Sequence, residues 1–258
     1  MILALIQKIE TCDNLLKSAS YLAVQLKKKF GILLINNKKE ELIEKEKSYL
    51  NSKMNSLQLL SQPDEILYAT SGKELTEMCE KIEASFLFIQ LLDDSKKNIR
   101  FWLSQCRELR IPYVLFKNSF PSLDLSKVIV PINFLEEEIE KAQFASAFGR
   151  FCGSKIIILL ANDYGSKARQ TAEKMKELFD KFQLNYTLTK GNSDSYKIEK
   201  EAVQVAINED AGIILVSASR EYGLDDIIFG PKELHLIKKS SVPILLVNPR
   251  GDLYALCN

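Results

Sequence analysis

The sequence predicts an α/β protein made of two doubly wound, parallel, five-stranded sheets arranged as a Rossmann-like tandem repeat. Three observations predict it. Short runs of consecutive apolar, branched residues alternate with amphipathic stretches of helical period along the 258 residues. The same order of elements then occurs twice, a signal to be sought before any other because missing it misassigns the fold. Finally, each half closes on a strand opened by proline, at Pro112 and at Pro243. Strands alternating with helices give right-handed crossovers and a parallel sheet covered on both faces.

Ile2 to Ile6 and KVIVPI (Lys127 to Ile132) read as the first, buried strands. In the helical stretch that follows in the first half, Leu15, Leu16, Ala19, Leu22, Ala23, Leu26 and Phe30 recur at three- and four-residue spacing, which makes one apolar face. Glu136 to Phe151 places Ile139, Ala142, Ala145 and Phe148 similarly. Gly31 and Gly153 are the expected helix stops. Ile32 to Ile35 and Ile156 to Leu160 follow, apolar at consecutive rather than alternate positions, as in strands buried on both faces. Two charged amphipathic helices come next, Glu40 to Leu60 and Ser166 to Phe182. The latter has Ala168, Ala172, Met175, Leu178 and Phe182 along one side and Ser166 as its N-cap.

The third strands, LYATSG (Leu67 to Gly72) and YTLTKG (Tyr186 to Gly191), end alike and lead into polar helices. Fourth strands Phe86 to Ile89 and Gly212 to Val216 precede a variable segment, and Ile111 to Phe116 and Val242 to Val247 complete each half. Proline lacks an N–H donor and is tolerated at the first position of a strand or on a sheet edge, so the fifth strand is an edge strand in each half. A length of 258 residues alone fits one large domain or two ordinary ones. The repeat divides it into 1–118 and 126–250, with KNSFPSLDLS (Lys117 to Ser126) as a linker of polar composition.

Composition narrows function. Hydrophobic residues make up 46% and charged residues 27%, the mixture of a soluble globular chain with a real core. Thirty-five basic against thirty-four acidic residues leave a net charge of +1, too little for a field that holds nucleic acid or an acidic membrane. The opening MILALIQKIE has no basic start, so it reads as a strand rather than a signal peptide, and a cytoplasmic location is expected. Cys12, Cys79, Cys106, Cys152 and Cys257 are scattered, with no CxxC, and read as buried reduced thiols.

Signs of catalysis are few. His235 is the only histidine, which excludes a two-histidine zinc site and leaves any histidine-dependent triad a single candidate. No Gly-x-Ser-x-Gly elbow, GxxxxGK[ST] loop or GxGxxG turn occurs. The acidic clusters Glu136-Glu137-Glu138, Asp93-Asp94 and Asp225-Asp226 read as solvated helix starts, and the lysine pairs and triplets as solvated faces. Trp102, beside Phe101 and Leu103, reads as core.

Taken together, VIVPINF with its following alanines, the IILVS strand, the spacing to Gly230 and the closing SSVPILLVNP resemble a universal stress protein domain. The first half is similar in pattern, so the resemblance to tandem members covers nearly the whole chain. It implies a fold akin to the adenine nucleotide alpha hydrolases and a non-enzymatic role in binding or signalling during stress. Nucleotide-binding members are similar to one another in a loop after the fourth strand, Gly-x2-Gly-x9-Gly and then Ser or Thr, whose glycines let the backbone approach phosphates. The aligned residues are Ser217, Arg220, Gly230 and Pro231, and one of the four matches. Arg220 brings a long side chain, and Pro231 removes both an N–H and a hydroxyl.

Asn133 stands where such members carry an acidic residue for a ribose hydroxyl, and an amide still makes that bond. Gln90 to Arg110 has no glycine, so no phosphate loop can be drawn in the first half. The expectation is a degenerate site without a cofactor. The alternatives are an ATP-binding protein using Asn133, Ser217, Arg220 and Gly230, helped by Lys232 beside the pocket mouth, and, more weakly, a nucleotide hydrolase. In this family the fifth strands resemble dimerisation edges. In a fused chain Tyr113 to Phe116 would pair antiparallel with Ile244 to Val247, giving an intramolecular pseudo-dimer, alone in solution or as a further dimer.

Overall fold

The computed structural model describes residues 1–35, 40–69, 74–219 and 230–250. The chain divides into two compact units, Met1–Leu123 and Asp124–Asn258. In the first, strands β1 (Ile2–Ile6), β2 (Phe30–Ile35), β3 (Glu65–Ala69), β4 (Phe86–Leu91) and β5 (Tyr113–Lys117) alternate with α1 (Asp13–Gln25), α2 (Glu40–Leu57), α3 (Leu75–Lys81) and α4 (Lys96–Gln105). The strands lie in the order β3-β2-β1-β4-β5 and every pairing is parallel.

The second unit repeats this plan. Strands β6 (Lys127–Ile132), β7 (Lys155–Leu160), β8 (Tyr186–Lys190), β9 (Ile213–Ser217) and β10 (Ile244–Val247) alternate with α5 (Lys141–Cys152), α6 (Lys167–Lys181), α7 (Ile198–Asn208) and α8 (Lys232–Lys239). Their order is β8-β7-β6-β9-β10, again with parallel pairings. Consecutive apolar residues explain the central strands. All of β1 is buried, as are Val128 to Ile132 of β6 and Ile156 to Leu160 of β7. The third strands are terminal in both units, and Thr187 to Lys190 of β8 are exposed.

The prolines before the fifth strands keep one ladder function. Pro112 O accepts from Leu87 N at 3.1 Å and Pro243 O from Ile214 N at 3.1 Å, although neither proline can donate. Within its own unit each fifth strand is therefore tied to the fourth from its first residue onward.

Several boundaries differ from expectation. Helix α1 stops at Gln25 because Lys27 takes the left-handed conformation, with φ 53°. Gly31 and Phe30 are thus strand residues of β2, not a helix stop and a helix face. Gly153 does end α5, at φ 68°. The stretch from Glu136 splits into a 3-10 turn, Glu136–Glu140, and α5. On α6 the buried stripe runs through Phe179, while Phe182 lies past the helix end and is 39% exposed. Ser166 precedes α6 without capping it, its backbone already helical at φ −93° and ψ −13°.

The polar-looking stretch around residues 118–125 is laced onto the first unit. Phe120, Leu123 and Leu125 are buried. Asn14 Nδ2 donates to Phe120 O at 2.8 Å, and Ser18 Oγ accepts from Leu123 N at 2.8 Å. Gly212, opening β9, passes so near Asp124 that a Cβ would meet its carbonyl oxygen at 1.9 Å.

Trp102 is buried core. Cys12, Cys79 and Cys106 are buried and Cys152 partly so, all as free thiols, while Cys257 lies outside the described residues. Burial pushes the Cys12 and Cys79 thiols up to about 12 and that of Cys152 to about 11, so thiolate chemistry is suppressed at each. No helix among the described residues is long and apolar enough to cross a membrane.

Candidate functional site

In an open parallel sheet the ligand crevice lies beyond the carboxyl ends of the strands, where the strand order reverses. In the second unit that point falls between β6 and β9, with Val128 beside Ile213 and Ile129 beside Ile214. Asn133 follows β6 and Ser217 ends β9, so adjacent strands deliver both residues to the same end of the sheet. Gly230 and Pro231 lead into α8, Gly230 at φ 91° and Pro231 at the N-cap position. Arg220 and the Asp225-Asp226 pair lie outside the described residues.

Asn133 is only 4% exposed. Its Oδ1 accepts from Leu135 N at 2.7 Å, closing a local turn, and its own N donates to Glu138 Oε2 at 3.4 Å. Ser217 is 2% exposed, and its Oγ has no hydrogen-bond partner among the described residues. The turn after β6 is fixed from the side. Ser195 Oγ accepts from Phe134 N at 2.8 Å and donates to Asp163 Oδ2.

Charged side chains line the crevice, most of them buried. Lys141 Nζ pairs with Glu138 Oε2 at 2.6 Å, both side chains fully buried, and also donates to Pro131 O. Pro131 sits inside a central strand. It has no N–H to give, so its carbonyl and the ammonium from α5 define the local polar geometry. Lys232, in the first turn of α8, pairs with Glu199 of α7 at 2.7 Å. Glu233 is fully buried, and its Oε1 accepts from Ser219 N, the backbone donor just past β9. Glu138 Oε1 and Glu233 Oε2 have no hydrogen-bond partner among the described residues.

The electrostatics follow from crowding. Burial pushes the Glu199 carboxyl up, Glu138 adds to that push, and Lys232 and Lys141 oppose it. Burial pulls Lys232 down, but Glu199, Glu138 and Glu233 together hold its ammonium above the usual lysine range. Glu138 is buried rather than a solvated helix start, although Glu136 is exposed as expected. Lys232, expected beside the pocket mouth, is ion-paired with Glu199. The available signal was Glu138 and Lys141, three residues apart and so on one side of a helical turn.

The first unit closes its crevice differently. Gln90, on β4 where Ser217 stands on β9, is 1% exposed. Its Oε1 accepts from Gln7 N at 2.9 Å and Lys8 N at 2.8 Å, while its Nε2 donates to Lys8 O at 2.9 Å and Thr11 Oγ1 at 3.0 Å. One amide thereby occupies the switch point with its own hydrogen bonds. Asp93 and Asp94 stay at the surface, Asp93 Oδ1 accepting from Ser95 N at 2.8 Å. His235 lies apart, half-buried, in a groove of about 230 Å³ between α7 and α8 with Lys200, Val203, Ile207 and Lys239. No group of three or more His, Cys, Asp or Glu side chains suited to a metal ion occurs among the described residues.

No protein-family model matches the chain, and no curated protein matches it in sequence. Solved structures do. A universal stress protein from Archaeoglobus fulgidus superposes with a TM-score of 0.69 at 15% identity, over 97% of this chain and 97% of that one. A putative universal stress protein from Pseudomonas aeruginosa gives 0.62 at 11% identity, over 99% and 94%. A functionally unknown protein from the same species gives 0.57 at 9% identity, over 100% and 95%. Across its length, therefore, the chain has the fold of the universal stress proteins.

Proposed function

We propose that this chain is a non-enzymatic stress-response protein that acts by binding or signalling, and that the crevice of its second unit does not take a nucleotide. One observation carries the second part. The carboxylate of Glu233 accepts the Ser219 N–H, so the backbone donor just past the fourth strand is already engaged. Pro231 offers no N–H in its place, and Lys141 and Lys232 are already paired with Glu138 and Glu199. In the first unit Gln90 fills the equivalent space.

A specific observation favours the second reading, an ATP-binding site around Asn133, Ser217, Arg220 and Gly230. Ser217 Oγ is buried without a partner among the described residues, and Gly230 keeps the left-handed turn of a phosphate loop. One measurement separates the two. The melting temperature of the full chain is expected to be the same with and without millimolar ATP and magnesium, and released phosphate to match a buffer blank. A ligand at a hundred times its dissociation constant adds about 2.7 kcal/mol, so an upward shift of that size establishes the second reading and sinks the first.

On partners, we propose that Tyr113 to Phe116 and Ile244 to Val247 pair antiparallel within one chain. Support comes from their place as the terminal strands of each unit's own order and from the proline that opens each.

A further inference from the structure

We propose that the switch-point cluster of the second unit is a proton-binding site, in which Glu138, Glu199 and Glu233 share Lys141 and Lys232 and one proton held among the carboxylates takes up the surplus charge. The inference concerns the same crevice as the proposed function but does not rest on whether a nucleotide binds there.

Charge counting comes first. Three carboxylates face two ammoniums, a formal surplus of one negative charge among the described residues, and burying an uncompensated charge is so costly that the group neutralises instead. Hydrogen bonding points the same way. Glu138 Oε1 and Glu233 Oε2 are buried acceptors without a hydrogen-bond partner among the described residues, as is Ser217 Oγ at the end of β9. A protonated carboxyl is itself a donor, so one proton both removes the surplus charge and satisfies an orphaned oxygen.

The groups around Glu199 come from each neighbouring element. Lys232 faces it from α8, Glu138 from the 3-10 turn and Lys141 from α5, while Glu233 acts on Lys232. Other charges on these elements are occupied elsewhere. Glu201 accepts from Asn192 N and Ser193 N, Glu140 accepts from Arg250 N, and Lys200 and Lys239 line the groove with His235. Glu199 is the first candidate to carry the proton, since burial is the largest influence on its carboxyl and pushes it up. A carboxyl raised in the folded state stabilises the fold below the ordinary carboxylate range, and that contribution is lost as pH rises through the raised value.

The test uses the full chain with carbon-13 in its glutamate carboxyls, titrated by NMR. The expected result is one carboxyl that titrates above the ordinary glutamate range of about 4.3 and disappears in Glu199→Gln. Alongside it, the urea midpoint of the wild type should fall as pH rises through that titration, and that of Glu199→Gln should fall less. Loss of the raised signal in Glu233→Gln or Glu138→Gln instead would still support a shared proton, housed on another member. If every glutamate of the wild type titrates in the ordinary range, the proposal is overturned, whether or not any variant folds. An ATP-induced shift in melting temperature would leave this titration unaffected, so the two proposals fail separately.

Discussion

Lys141 shows how much one residue decides in this fold. Its ammonium is fully buried, pairs with Glu138 at 2.6 Å and donates to the carbonyl of a proline inside a central strand. Removing one member of a buried pair strands the other, at a cost of about 3–5 kcal/mol, whereas replacing both with apolar groups of similar size is often neutral. Lys141→Met should therefore lower the unfolding free energy of the second unit by that amount in urea melts followed by circular dichroism. Glu138→Leu combined with Lys141→Met should recover most of the loss. A single variant with wild-type stability would mean that the pair is not the constraint its geometry indicates. Gln90 plays the matching part in the first unit with a neutral amide, and so without any dependence on pH.

Helix starts separate what the sequence makes legible from what it does not. Ser166 looked like a cap because a serine stands just before an amphipathic run, yet its side chain caps no backbone amide. Ser95, between the Asp93-Asp94 and Lys96-Lys97 pairs, does the capping, with extended backbone and Oγ accepting from Asn98 N at 3.2 Å. A true N-cap is worth about 1 kcal/mol. Ser95→Ala should cost that in urea unfolding read by the fluorescence of Trp102, whereas Ser166→Ala should leave the midpoint of the second unit unchanged. The strands were legible because runs such as Ile156 to Leu160 are apolar at every position, a pattern that only two-sided burial explains. Helix ends were less so, since Lys27 adopts a conformation its side chain does not announce. The crevice was legible in place but not in content. Asn133 and Ser217 follow or end adjacent strands at one end of the sheet, but Glu138, Glu199 and Glu233 come from three separate elements, and a charge count along the chain treats each as ordinary surface.

At the scale of the whole molecule, two units of one topology place different chemistry at the same point of the sheet, an amide at Gln90 in one and an ion cluster in the other. The proposed pairing of Tyr113 to Phe116 with Ile244 to Val247 makes a prediction at this scale. Successive residues of a strand point their N–H groups to opposite edges, so within its own unit a terminal strand engages only alternate amides, those turned toward β4 or β9. The remaining amides of β5 and β10 have donors to spare unless another strand meets them. Hydrogen exchange on the full chain, resolved by residue, should show both sets of amides in β5 and β10 protected as strongly as those of β1 and β6. The terminal strands β3 and β8 serve as the internal control, with one set slow and the other fast. Should β5 and β10 show that same alternation, the fifth strands are free edges and the intramolecular pair does not form.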